Sequence, residues 1–93
     1  MIYFDNSATT KIDPAVLATY DAISNNFFGN PSSLHAVGTK ANDMLQSARG
    51  QIAELIGAAT DEIFLTSGGT EGDNWIIKGT AIETREFGHH LIT

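Results

Sequence analysis

The stretch Ile63-Phe64-Leu65-Thr66-Ser67-Gly68-Gly69-Thr70-Glu71-Gly72-Asp73-Asn74 decides how this chain is expected to fold. Its first three residues are β-branched, aromatic and aliphatic without a polar interruption, which is how a strand buried on both faces of a parallel sheet reads. The glycine turn that follows leads into a helical stretch, so the turn stands at the carboxyl end of a strand, where open α/β sheets bind ligands. A helix's first turn leaves about four N–H groups unpaired and carries a partial positive charge. Glycines let a phosphate approach that backbone, and Ser67 and Thr70 add hydroxyl donors. Two readings stay open at this point: a phosphate site, or a plain strand-to-helix turn capped by Ser or Thr. Neither G-x-x-x-x-G-K-[ST] nor G-x-G-x-x-G occurs, so P-loop and Rossmann phosphate sites are excluded. Glu71 and Asp73 suit the helix dipole but would repel a phosphate, so both are expected to face away from it.

Downstream, the helix predicted from residue 71 to about 86 presents Trp75, Ile76, Ile77, Ala81 and Ile82 as a broad apolar surface, and Gly88 breaks it. His89-His90-Leu91-Ile92-Thr93 reads as the opening of another strand. Strand, turn, helix and strand make a βαβ unit with a right-handed crossover. Two parallel strands alone would leave long edges unpaired, so the chain is expected to be the amino-terminal piece of a larger protein.

Upstream, Asp13-Pro14 is a helix start, with Asp as cap and Pro at the first helical position. Val16, Leu17, Tyr20, Ile23 and Phe27 then recur at steps of three and four and predict one buried helical face. Gly29-Asn30-Pro31-Ser32-Ser33 is a compact turn in which Ser32 or Ser33 is expected to cap the next helix. Val37, Ala41, Met44/Leu45, Ala48, Ile52 and Leu55/Ile56 trace a stripe of about five turns. Gly38 and Gly50 each cost that helix about 1 kcal/mol relative to Ala, and Gly57 is its natural stop. Ile2-Tyr3-Phe4 is a short strand or extended entry, and residues 5–10 a polar loop. The expected organisation is an extended segment over 1–13, then two helices and the first βαβ unit of an incomplete domain over 14–93.

At 93 residues, the chain is at most one small domain. Hydrophobic residues make up 42% and charged residues 17%, an ordinary globular composition. Lys+Arg 5 against Asp+Glu 11 gives a net charge of −6, which lacks the positive field that holds a polyanion. Nucleic acid and anionic membrane are therefore not expected as partners. Cys 0 rules out disulfides, thiolate metal sites and a cysteine nucleophile within these residues. No apolar run approaches the roughly 20 residues that span a bilayer, and no signal peptide pattern opens the chain, so the expected compartment is the cytosol.

Other chemistry-bearing residues read as structural. Adjacent His89 and His90 would point to opposite faces of a strand and cannot share a metal; no metal site is expected there or at His35. Asp13 is better explained as a cap than as half of a carboxylate pair with Asp5. Lys11, Lys40 and Lys78 read as solvated.

Three segments in register carry a resemblance that covers nearly the whole chain. Tyr3-Phe4-Asp5-Asn6-Ser7-Ala8-Thr9-Thr10 with Asp13-Pro14 resembles the opening of the cysteine desulfurases, which belong to the class V aminotransferases. Phe28-Gly29-Asn30-Pro31-Ser32-Ser33-Leu34-His35 is similar to the loop after that family's first helix, and residues 63–74 to its T-S-G-A/G-T-E-x-x-N segment. The resemblance implies a fold-type I enzyme dependent on pyridoxal 5′-phosphate (PLP), with a large α/β domain, a small domain and a homodimeric assembly. It implies conversion of L-cysteine to L-alanine, with the sulfur passed to an enzyme cysteine as persulfide and on to a sulfur acceptor or iron–sulfur scaffold. It carries PLP-phosphate binding over to Gly69 and Thr70, and it places the 6–10 and 30–35 loops near the active-site region.

The family's cofactor-anchoring lysine, ring-stacking histidine, pyridine-nitrogen aspartate, carboxylate-binding arginine and sulfur-accepting cysteine have no counterpart in these residues, and His89 and His90 take none of those roles. These 93 residues alone are therefore expected to catalyse nothing. Gly69 and Gly72 make the motif richer in glycine than a typical member's, and Gly72 weakens the first helical turn by up to about 1 kcal/mol against Ala. The alternatives are another family enzyme, such as a selenocysteine lyase or an aminotransferase, and a non-catalytic remnant acting as an interaction module.

Overall fold

The computed structural model describes residues 1–92, and its elements are α1 (Pro14–Asn26), α2 (Ala36–Ile56), a single 3-10 turn (Thr60–Glu62) and α3 (Gly69–Glu83). It divides into two compact units, Met1–Thr60 and Asp61–Thr93.

In the first unit, Asp13 begins α1 as its composition requires. Its carboxylate accepts the Ala15 N–H at 2.8 Å, and proline occupies the first turn, where no N–H is needed. At the other end, the Asn25 and Asn26 side-chain amides donate to the carbonyls of Asp21 and Ala22, competing with continued helix. The expected buried face is realised only at that end: Ile23 and Phe27 are half-buried, whereas Val16, Leu17 and Tyr20 are exposed and α1 has no buried residue.

The loop between α1 and α2 differs from expectation at its cap. Ser32 and Ser33 do not cap α2; their N–H groups donate to the Asn30 side-chain oxygen at 2.9 Å and to the Asn30 carbonyl at 3.0 Å, closing the turn on itself. The cap is His35, whose Nδ1 accepts the Gly38 N–H at 3.2 Å. That bond requires the unprotonated Nδ1 of an imidazole. Gly38 is buried because the turn lies against it: a Cβ there would fall 2.4 Å from the Ser33 carbonyl oxygen and 2.7 Å from that of Asn30. Ala41 on the next turn is buried as well, and Ile23, Phe27, Pro31, Met44, Leu45 and Ala48 surround an apolar depression between the two helices. α2 stops where Gly57 takes φ 68°, with Ala58 N–H on Ala53 O at 2.9 Å and Gly57 N–H on Glu54 O at 3.4 Å, a Schellman ending.

In the second unit, the βαβ expectation is corrected. There is no strand among the described residues: 63–66 and 89–92 carry no ladder, and residue 93 of the second expected strand lies outside them. Only Ile63 is buried, while Phe64 and Leu65 are exposed. A strand exists by pairing its N–H and C=O groups with a neighbour, and these two segments do not pair with each other. Residues 2–4 likewise form no strand. Helix α3 starts two residues earlier than expected, at Gly69, and stops at Glu83 rather than at about residue 86. Thr84 ends it by directing both its N–H and its hydroxyl at the Thr80 carbonyl, at 2.9 and 2.7 Å. Trp75 meets Phe64 edge to face with ring centroids 5.3 Å apart, and the apolar side of α3 is otherwise exposed.

Candidate functional site

The amino-terminal end of α3 is where the second unit offers unpaired donors. Its N-cap is Gly68, which has no side chain to cap with, and the first helical bond runs from Gly72 N–H to Gly68 O at 3.1 Å. The N–H groups of Gly69, Thr70 and Glu71 therefore find no acceptor among the described residues. The Thr70 hydroxyl also has no partner there, since only the Thr70 carbonyl is engaged, by the Asn74 amide at 2.8 Å. A Cβ on Gly68 or Gly69 would meet nothing within 4 Å, so the space beside these two glycines is open. Thr66 steadies the turn from behind, donating its hydroxyl to Gly68 O at 3.1 Å.

The two acidic residues next to this turn behave differently. Glu71 folds back along the chain: one carboxylate oxygen accepts both the Ser67 N–H, at 2.9 Å, and the Ser67 hydroxyl. Those two bonds, the hydroxyl first, hold its pKa below the ordinary glutamate value. Its charge is thus spent on the residue before the glycines rather than aimed at the free donors. Asp73 is exposed, and its carboxylate has no hydrogen bond or ion pair among the described residues. The Ser67 hydroxyl, expected as a phosphate donor, has its one proton on Glu71.

A second polar constellation lies in the first unit. The Tyr3 hydroxyl reaches Asp5 O at 3.1 Å, Thr9 O at 3.2 Å and the Thr9 hydroxyl, while Ala8 and Thr9 N–H groups donate to Asp5 O at 3.0 and 3.2 Å. Sequence reasoning identified this stretch as loop but missed the tyrosine that ties it together. It also missed His35 as a cap, for which the H-x-x-G spacing before an apolar stripe was the available signal. Among the described residues, no group of three or more His, Asp or Glu is placed to hold a metal ion. No helix among them is long and apolar enough to cross a membrane.

The sequence profile described as Aminotransferase class-V matches residues 2–93. A "NifS/IcsS protein homolog" of Lactobacillus delbrueckii subsp. bulgaricus is 57% identical over 93 residues, covering 100% of this chain and 24% of that protein. The "Putative cysteine desulfurase IscS 1" of Bacillus subtilis is 47% identical over 92 residues, 99% of this chain and 24% of the relative. The "Cysteine desulfurase IscS" of Methanosarcina thermophila is 44% identical over 92 residues, 99% of this chain and 23% of the relative. The chain thus spans about a quarter of the length of these curated relatives. No solved structure matches it significantly. With the profile covering all but the first residue, this chain belongs to the class-V aminotransferase family.

Proposed function

We propose that these residues form the part of a PLP-dependent cysteine desulfurase that supplies one wall of the cofactor's phosphate site. The reading is carried by one observation: relatives named as cysteine desulfurases match essentially the whole chain, including the turn that ends in unpaired donors. The turn fits a phosphate group. It offers free N–H groups, an unengaged Thr70 hydroxyl and open space where Gly68 and Gly69 lack side chains. When bound, PLP supplies an electron sink for breaking bonds at the substrate's α-carbon and β-carbon. Gly69 and Thr70 donate their N–H groups, and Thr70 its hydroxyl, to the phosphate, with the partial positive charge of α3 behind them. Glu71 keeps its charge on Ser67 and away from that anion.

The proposed substrate is L-cysteine, yielding L-alanine and a persulfide on a cysteine outside these residues. A homodimer and a sulfur-accepting or iron–sulfur scaffold protein are the proposed partners, and the cytoplasm the proposed compartment. The proposed domain assignment is an extended 1–13 leading into a partial PLP-binding domain over 14–93.

The test is Thr70→Val in the full-length protein, read as the PLP dissociation constant. One hydroxyl donor to a charged acceptor is worth about 1.5–3 kcal/mol, so retention should weaken at least tenfold on that estimate. An unchanged constant would remove Thr70 from the site.

A further inference from the structure

We propose that Glu71 is a positioning residue for the phosphate turn, holding Ser67 by two hydrogen bonds so that the phosphate is bound by Gly69 and Thr70 and not by the Ser67 hydroxyl. The inference rests on the phosphate reading given above and deepens it. Its basis is geometric. A single Glu71 oxygen receives the Ser67 N–H at 2.9 Å and the Ser67 hydroxyl, which fixes both the backbone and the side chain of the residue that enters the glycine pair. A hydroxyl has one proton, and this one is committed. Gly68 and Gly69 have no Cβ contacts to hold them, so the turn's conformation depends on what anchors its two ends. Thr66 and Glu71 are those anchors: Thr66 binds Gly68 O, and Glu71 binds Ser67. The carboxylate is ionised at neutral pH, consistent with its lowered pKa.

The sign of the effect separates this role from a simple charge. A carboxylate one residue past Thr70 should repel a bound phosphate, so its removal would tighten PLP binding if proximity were its only influence. A positioning residue gives the opposite result. In the full-length protein, Glu71→Ala is expected to raise the PLP dissociation constant about tenfold despite deleting a negative charge. Glu71→Gln, whose amide oxygen still accepts from Ser67, should stay within about threefold of wild type. Ser67→Ala combined with Glu71→Ala should cost no more than Glu71→Ala alone, because the two side chains act as one unit.

A readout without cofactor accompanies these. In the apo protein, hydrogen exchange of the peptide containing Ser67 should accelerate in Glu71→Ala and return to the wild-type rate in Glu71→Gln. Tighter or unchanged PLP binding in Glu71→Ala, additive losses in the double variant, or unchanged exchange would each overturn the proposal. A wild-type protein that does not bind PLP, with exchange still responding to Glu71→Ala, would instead overturn the phosphate reading and leave Glu71 as an anchor of the turn alone.

Discussion

Gly38 and Gly50 occupy the same helix under opposite constraints. The sequence assigns each the same cost, because neither periodicity nor propensity says what lies beside a glycine. At Gly38 a methyl group would be driven to 2.4 Å from the Ser33 carbonyl oxygen, and backbone on both sides blocks relief. Gly38→Ala should therefore destabilise the protein by about 1–3 kcal/mol, in the manner of other overpacked sites. At Gly50 the added carbon would meet only the Thr60 hydroxyl, at an ordinary 3.6 Å. Gly50→Ala should stabilise α2 by up to about 1 kcal/mol. Opposite shifts in the midpoint of thermal or denaturant unfolding of the full-length protein would bear this out. At Glu71 the effect is a matter of pH. Its pKa is lowered in the fold, so the Ser67 bonds contribute fully above the unfolded value and are lost as pH falls through the folded one. A carbon-13 titration of the Glu71 carboxyl should give a midpoint below that of a glutamate in an unfolded peptide, and Ser67→Ala, which removes the hydroxyl bond but keeps the backbone N–H bond, should move it part of the way back.

Helices were legible because their signals are local. The Asp13-Pro14 start, the stripe from Val37 to Ile56 and the Gly57 stop are each written within a few residues, and each appears where read. The α2 cap was harder. Serine outranks histidine as an N-cap, yet the turn consumes the Ser32 and Ser33 N–H groups at Asn30 and brings His35 to the helix end instead. Replacing His35 with Ala should cost about 1 kcal/mol, and replacing it with Asn, a strong N-cap, should recover most of that. The measurement is the unfolding midpoint of the two variants at neutral pH. The strands were not realised because strand formation is a property of pairs. Ile63-Phe64-Leu65 carries the composition of a buried strand, but composition cannot provide the neighbour that completes its hydrogen bonds. At the candidate site, the glycine turn and its donors were legible. The commitment of Ser67 to Glu71 was not, since it depends on side-chain torsions that spacing does not fix.

At the level of the whole chain, surface is the dominant fact. Among the described residues the buried apolar ones are Ala41, Ala53 and Ile63, while Trp75, Ile76, Ile77, Val16, Leu17 and Tyr20 stand open. Burial on that scale supplies too little apolar free energy to offset the conformational entropy of the chain. Residues 1–93 prepared as an isolated polypeptide should accordingly keep helical far-ultraviolet dichroism, lose near-ultraviolet dichroism and bind the dye ANS, as expanded states do. A cooperative thermal transition with no dye binding would contradict this. The curated relatives it matches are about four times as long as this chain.

The edge-to-face contact of Trp75 with Phe64 has an optical consequence. Trp75 is the chain's single tryptophan, and it rides on the helix that begins at the glycine turn proposed to hold phosphate, about 7.5 Å along the axis from Thr70 at the standard rise. Its indole meets the Phe64 ring on one side, and the residue is otherwise largely exposed. A chromophore seated at that turn would sit well within range to drain the indole's excited state, so the dimming of one emission band would count occupied sites without any label being attached.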